Sequence, residues 1–540
     1  MTQQKTERQP LRPELPHPVR HHGEWITLIG DNIVGSGPTA RDAREAALTA
    51  RPNERSHLLF MPPAEVVNVK LPETYARACA ALPPAAREHT WLVGGAVRAA
   101  LMSRSVEDLD FVVGGDALAV ARVVANALSA KYFPLDAERG VGRVLSDSGN
   151  GIVLDFARMH PDGIEADLLA RDFTINAMAL PAEGACNLLD PAGGRDHLST
   201  KTVCMLSETS LAADPVRVLR AVRLAVELDF RIERGTRDAL RKNAAALQQV
   251  SNERLRDEFL RCLGGPNPTR AMRVLDHLKL IQYVLPEWNM ADGTRALSVC
   301  AALQALLSVL RPRHDVDAAS EFALGLVAAR VGRFRSALSD HLSQCIVAPR
   351  SRGQFLYLAA QLRAICANAQ ARERVRALRL SNAECNLLAA LAKPTGLPQV
   401  QPHRGRGSNS GRAPKAMELS AREVHRFFCA QGAAGVEVCL LSLAESLAEH
   451  GPALPRNEWA QKIDCVVGLL DGYFNRFAEV IEPPALIDGT DLMAALDISE
   501  GERVGALLFE IRAGQAAGEV TTREQALQLA RTLYAQRDER

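Results

Sequence analysis

The sequence predicts an α+β chain, a mixed α/β part running to about residue 200 followed by an all-α remainder. Three observations carry this. Short apolar stretches bounded by Gly, Pro and Asp alternate with amphipathic stretches from Trp25 to Phe156, as strands and helices sharing a core do. Beyond residue 200, Ala, Leu and Arg recur at helical spacing almost to Lys393. Between Trp91 and Gly115, WLVGGAVRAALMSRSVEDLDFVVGG brings a glycine turn and two carboxylates into one short unit.

At 540 residues the chain is too long for one hydrophobic core. Composition shifts divide it into a disordered tail at 1–22, a small α/β appendage at 23–65 and a head at 66–200. A helical neck at 201–264, a helical body at 265–480 with a Gly/Pro/Ser/Arg-rich linker at 394–416, and a helical tail at 481–540 complete it. The net charge of +1 excludes a generally basic protein, so a nucleic-acid partner would have to meet a local basic face. The 11 cysteines form no C-x-x-C pair, which argues against zinc and fits a reducing cytoplasm. The first residues lack the apolar core of a signal peptide, and no apolar run is read as reaching transmembrane length, so no membrane partner is expected.

From Trp25, WITLIG and IVGSG read as strands across a turn at Asp31-Asn32, ARDAREAALTA as a helix after Pro38-Thr39, and His57–Met61 as a third strand. A packing appendage is the expected role. Leu71–Leu82 reads as a helix entering the head. There Leu92 and Val93 run into Gly94 and Gly95, whose missing side chains let backbone N–H groups approach an anion. A helix over Ala96–Met102 would turn its N-terminus toward a phosphate, with Arg98 one turn on. In a strand, Asp108 and Asp110 share a face while Leu109 turns to the core. That spacing suits a divalent metal, since Mg²⁺ is held by one or two carboxylates plus substrate phosphates. Asp116–Ala130 reads as an amphipathic helix, and Lys131–Pro134, Gly142–Ser146 and Gly151–Phe156 as strands.

Leu92 to Arg98, followed by Asp108 and Asp110, resembles the head of the class II tRNA nucleotidyltransferases and bacterial poly(A) polymerases, within the polymerase beta-like superfamily. The family pattern is LVGGxVRDxLL, then DxD; Ala99 stands here in place of its Asp. The resemblance implies a nucleotidyltransferase palm, with Asp108 and Asp110 as catalytic metal ligands and Gly94, Gly95 and Arg98 at the nucleotide. It also puts a third acidic residue at Asp155, as base or metal ligand; the alternative is an edge-strand carboxylate paired with Arg158. ARDFTINAMAL, residues 170–180, resembles RRDFTINAMA, with Ala170 replacing the first arginine. Arg171 would grip a phosphate bidentately and Asp172 would accept a ribose hydroxyl. Between Arg158 and Asp172 the chain is short, where CCA-adding relatives often carry a longer loop implicated in the switch from C to A addition. LLDPAGGRDHL matches the family's DPxGGxxDL turn, with His197 for Asp, and is assigned to a head–neck hinge.

DPVRVLRAVR, from Asp214 to Arg223, resembles the family's EDPxRxLRAxRFA, with Ala213 in place of Glu. Pro215 fits the first helical position and Asp214 its N-cap, while Val218, Val222 and Ala225 would face the core. The resemblance implies that Asp214 and Arg217 read the incoming base and that Arg220 and Arg223 contact nucleotide or support them. Cytosine and adenine each set an amine donor beside a ring-nitrogen acceptor, the complement of a carboxylate beside a guanidinium; uracil and guanine reverse it. VSNERLRDEFLRCL resembles a neck helix in which Ser251, Arg254 and Glu258 brace the base-reading helix. The tail matches the family at Asp491, Leu492, Gly505 and Gly518. His314-Asp315 is read as a chance pair, and Arg404, Arg406, Arg412 and Lys415 as solvated linker or RNA-phosphate contacts.

The resemblance thus implies a cytoplasmic, Mg²⁺-dependent, template-independent enzyme adding CMP and/or AMP, from CTP and/or ATP, to the 3′ end of tRNA or another RNA. Poly(A) polymerase is the alternative within that class, and a non-catalytic RNA-binding protein on the same scaffold the alternative outside it. No motif sets the oligomeric state.

Overall fold

The computed structural model describes residues 25–538 except 30–31, 53–55, 61–64, 68, 146–150, 184–186, 289, 313–316, 318–320, 366–372, 375, 393–395 and 399–418. The tail at 1–22, His314-Asp315, and the linker at 394–416 apart from 396–398, with its four basic residues, lie outside the described residues. The chain forms two compact units, one of residues up to Arg217 with Leu228–Ala239, the other of Val218–Glu227 with Leu240 onward.

The first unit holds two main sheets. Strands β1 (Trp25–Ile29), β2 (Asn32–Gly37) and β3 (His57–Phe60) pair antiparallel in the order β2-β1-β3. Helix α1 (Ala40–Ala50) starts at a capping box between Thr39 and Asp42. It is tied to the sheet by Thr27 Oγ1, which donates to the Ala43 carbonyl at 2.9 Å.

After β4 (Glu65–Val66), α2 (Glu73–Ala81) and α3 (Pro84–Arg87), the chain builds a sheet from β5 (Thr90–Val93), β6 (Asp108–Val113), β7 (Lys131–Asp136), β8 (Val141–Leu145), β9 (Val153–Arg158) and β10 (Ala179–Pro181). Helix α4 (Gly95–Leu101) links β5 to β6, α5 (Ala117–Leu128) links β6 to β7, and α6 (Ile164–Leu169) follows β9. The strand order is β10-β5-β6-β9-β8-β7, with β6 and β9 the parallel pair. Helix α5 carries the chain past the middle of the sheet to its far edge, and the β7–β8–β9 meander fills the gap. Asp155 therefore lies on an interior strand, not the edge strand of the alternative reading.

Alternation assigns the faces. Leu109, Phe111, Val113, Leu154 and Phe156 pack with Val120, Ala121 and Val124 of α5 in one core. Val93 and Val112 belong to a smaller core with Ile164 and Leu168 of α6. Asp108, Asp110 and Asp155 point to this second side.

Strand β11 (Asn187–Leu188) pairs with β4, and α7 (Gly194–Ser199) follows. Asp190 fastens the α7 start, accepting from the Gly194 N–H at 2.7 Å and the Arg195 N–H at 2.9 Å. The DPxGG turn assigned to a hinge lies inside the first unit. A Cβ on Gly194 would sit 2.2 Å from the Thr174 carbonyl oxygen, so only glycine permits this approach. Gly194→Ala is expected to cost roughly 1–3 kcal/mol and lower the melting temperature; an unchanged melting curve would contradict that packing.

Beyond β12 (Thr202–Val203) come α8 (Glu208–Ala213) and α9 (Arg217–Glu227). Asp214 is the C-cap of α8 rather than the N-cap of the next helix, and Pro215 sits in the turn that α9 follows. Val218, Val222 and Ala225 are buried as expected.

Helix α10 (Arg234–Lys242) runs from the first unit into the second, and from α11 (Asn252–Gly264) on the second unit is helical apart from the hairpin Cys345–Val347 with Arg350–Ser351, among the described residues. Capping boxes at Ser381, Ser420 and Asp488 start three of its helices. Contrary to the sequence expectation, the helical stretch Ala421–His450 is long and apolar enough to cross a membrane, but 78% of its apolar window is buried in the fold, as in a core helix. The chain is thus a mixed α/β sheet part followed by helical regions, as expected.

Candidate active site

Strand β5 ends at Val93 and is followed by Gly94, the N-cap of α4, whose φ of 72° lies in the left-handed region. A Cβ there would stand 3.1 Å from Arg171 Nη1 and 3.8 Å from Asp110 Oδ2. The glycine turn, one carboxylate and the motif arginine therefore meet at one point. Arg98 closes the other side: its Nη1 donates to Asn176 Oδ1, and its Nη2 lies 3.6 Å from where a Gly95 Cβ would be.

A row of register partners crosses the sheet from Val93 to Asp110, Asp155 and Arg143. Asp155 accepts a bidentate bond from Arg143, Nε to Oδ1 at 2.8 Å and Nη2 to Oδ2 at 2.7 Å. Its partner is Arg143, not Arg158, because cross-strand neighbours on one face meet while residues three apart on a strand point oppositely. Asp108 is exposed at the start of β6, and Asp110 is partly buried.

Burial, then the Asp155 charge, pushes the Asp110 carboxyl up to about 6; Asp108 adds to this, while Arg171 and Arg143 pull it down. A cation relieves such repulsion. Among the described residues no group of three His, Cys, Asp or Glu is set to hold an ion. Two same-face carboxylates beside the glycine turn do fit a divalent ion that completes its shell with substrate oxygens and water.

The ARDF motif forms the opposite wall. Asp167 accepts from Arg171 Nε and Nη2 at 3.2 and 3.0 Å, orienting the guanidinium. Asp172 is 5% exposed, and its Oδ1 accepts from the Phe173 N–H at 2.8 Å and from Asn176 Nδ2 at 2.9 Å, so this oxygen organises the turn that presents Asn176 to Arg98. Arg217 Nη1 donates to the carbonyls of Ala170, Arg171 and Ser210 at 3.1, 2.8 and 3.1 Å. Its Nε lies 3.9 Å from Asp214 Oδ2 and makes no hydrogen bond.

Arg220 and Arg223 belong to the second unit. Glu258 of α11, 5% exposed, accepts from Arg223 Nε at 2.8 Å and Arg220 Nε at 3.4 Å. Burial alone would lower the Arg223 guanidinium, and Glu258 and Glu227 more than offset it, holding it above its usual range. Glu258 thus has the bracing geometry expected of the neck helix. Glu258→Ala would leave the buried Arg223 with Glu227 alone and strip Arg220 of its Glu258 partner, and is expected to cost about 3 kcal/mol in urea unfolding; a loss below about 1 kcal/mol would remove that role.

Sequence reasoning missed Arg143, Asp167 and Asn176. The last two lie beside or in the ARDF motif and follow from its helical and turn spacing; Arg143 needed the strand order.

Residues 90–204 match the Poly A polymerase head domain family, and 229–291 match the probable RNA and SrmB-binding site of polymerase A. The CC-adding tRNA nucleotidyltransferase of Geobacter sulfurreducens is 32% identical over 437 residues, covering 81% of this chain and 90% of that protein. The A-adding tRNA nucleotidyltransferase of Deinococcus radiodurans is 31% identical, covering 81% and 93%. The fold is shared with a Thermotoga maritima CCA-adding enzyme complexed with tRNA-CCA, at 20% identity and a TM-score of 0.53, covering 87% of this chain and all of that one. On this likeness across most of its length, the chain belongs to the family of class II tRNA nucleotidyltransferases and bacterial poly(A) polymerases.

Proposed function

We propose that this enzyme transfers CMP, and in the alternative AMP, from the nucleoside triphosphate to the 3′ end of tRNA. The observation that carries this reading is the meeting of Asp110, Gly94 and Arg171 at one point, with Arg217 bound to the same motif's backbone. Asp108 and Asp110 would hold Mg²⁺, which when bound supplies charge neutralisation at the reacting phosphate and lowers the pKa of the attacking hydroxyl. The α4 N-terminus, Arg98 and Arg171 would receive the triphosphate, while Asp214 and Arg217 would present an acceptor and a donor to the base. Asp155, neutralised by Arg143, would act electrostatically rather than as a base.

A specific feature favours C addition. Only Met159–Gly163 separate β9 from α6, and that span is pinned by Met159 N–H to the Val113 carbonyl at 2.9 Å and Gly163 N–H to the His160 carbonyl at 3.0 Å. Such a connection has no slack to reshape a base site from C to A. Poly(A) polymerase is the second reading, favoured by the family descriptions matched at 90–204 and 229–291. The helical second unit would bind RNA by shape and backbone charge, in a reducing cytoplasm. With Mg²⁺ and a tRNA transcript lacking CCA, CTP supplied alone should be incorporated and UTP or GTP alone should not. Equal use of CTP and UTP would overturn the base-reading assignment.

A further inference from the structure

In the second unit, the helices Ala421–Gln431 and Glu502–Ala516, with the turn Phe477–Ile481, contribute to a cavity of about 910 Å³. Phe428, Tyr473, Phe477 and Phe509 supply aromatic wall, Arg512 brings a positive charge and Glu482 a negative one, and Arg512 is the charge that acts on Cys429. Cys429 and His425 lie one helical turn apart on the lining. His425 is 1% exposed, with Nδ1 2.9 Å from the Val480 carbonyl oxygen. A carbonyl only accepts, so Nδ1 carries a proton, and in the neutral ring Nε2 is then the nitrogen with the lone pair. That nitrogen faces Cys429 Sγ at 3.3 Å. Cys429 is exposed, whereas Cys262, Cys300, Cys439 and Cys465 are buried. Nucleophile, base and a group fixing the base's tautomer are thus assembled beside a cavity within the second unit, on residues that carry none of the roles assigned to nucleotide transfer.

We propose that Cys429 is a thiol-modification site that takes small, anionic disulfides by thiol–disulfide exchange. The Cys429 proton passes to His425 Nε2 as Sγ attacks one sulfur of the disulfide. The new Sγ–S bond forms as the old S–S bond breaks, and the departing thiolate takes the proton back from His425. Two thiol electrons reduce the disulfide, so no other oxidant is required. Burial raises the Cys429 thiol and Arg512 lowers it, so the resting group is the thiol and the base matters in the step itself. The cavity admits a molecule of a few residues' size, and Arg512 complements its carboxylates.

The full-length protein is incubated with oxidised glutathione, quenched in acid and mapped by peptide mass. Cys345, the other exposed cysteine among the described residues, is the internal comparator. Adduct formation at Cys429 should outrun Cys345 by at least about tenfold, and His425→Gln should remove that advantage while leaving the Cys345 rate unchanged. Arg512→Met, at an exposed position, should slow the reaction with oxidised glutathione but not with the uncharged 2-hydroxyethyl disulfide. Equal rates at the two cysteines, or an Arg512→Met variant that reacts equally with both reagents relative to wild type, would overturn the proposal.

Discussion

Asp110→Asn is expected to lower kcat/KM for nucleotide incorporation by on the order of 10³-fold, with tRNA retention unchanged, and to raise the melting temperature of the metal-free protein at pH 7.5. Both effects come from one carboxylate. As a ligand, it would carry half of the protein's share of the metal site. As a charge, it sits partly buried beside Asp155 and Asp108, and its carboxyl is pushed up to about 6 from an ordinary 3.8. A carboxyl raised by folding favours the folded state below its unfolded pKa and loses that contribution as pH rises through the folded value. At pH 7.5 the wild type bears the full cost of the ionised form, and asparagine bears none. The stabilisation should shrink toward pH 5, where Asp110 is mostly protonated in the fold. A variant that loses activity and melts lower at both pH values would instead have lost structure.

Arg217→Ala should reduce kcat/KM for CTP by roughly 10- to 100-fold and narrow the preference for CTP over UTP, since one bidentate base contact is worth about 1–3 kcal/mol. Arg217 Nη1 holds the carbonyls of Ala170, Arg171 and Ser210, and its buried Nε lies 3.9 Å from Asp214 Oδ2 without a hydrogen bond; in the proposed reading the remaining donors of the guanidinium meet the base beside Asp214. The backbone carbonyls secure a guanidinium that the family sequence would place beside a glutamate, here Ala213. Arg217→Lys keeps the charge but not the planar fork, so discrimination should fall in it as well. Single-turnover rates with CTP and UTP in parallel measure this, and an unchanged ratio of the two would count against base reading by Arg217.

What could be read from sequence was local. Period-two alternation placed Asp108 and Asp110 on one face of β6, and the glycine pair before an apolar helical run located the turn at Gly94. The stretch separating Asp110 from its register partner Asp155, and from the Arg143 that pairs with Asp155, carries no local trace of their meeting, because α5 takes the chain to the far edge before β8 and β9 return. Asp155 lies on the last strand of its run in sequence, which left an edge position open as the alternative reading until the strand order placed it inside the sheet. Asp214-Pro215 suits a helix start, but the chain first completes α8 and turns, so local propensity put the cap one element late. Glu258 gathers Arg220 and Arg223 from another helix, a contact that motif spacing suggested and only tertiary packing specifies.

The most direct measurement of tRNA 3′-end addition uses transcripts ending before CCA, after C and after CC, with Mg²⁺ and CTP alone, ATP alone or both, resolved by length. Two additions to the first transcript and one to the second, each requiring CTP and stopping at CC, are the expected result. Long A ladders on several RNAs, or no incorporation on any transcript, would contradict it.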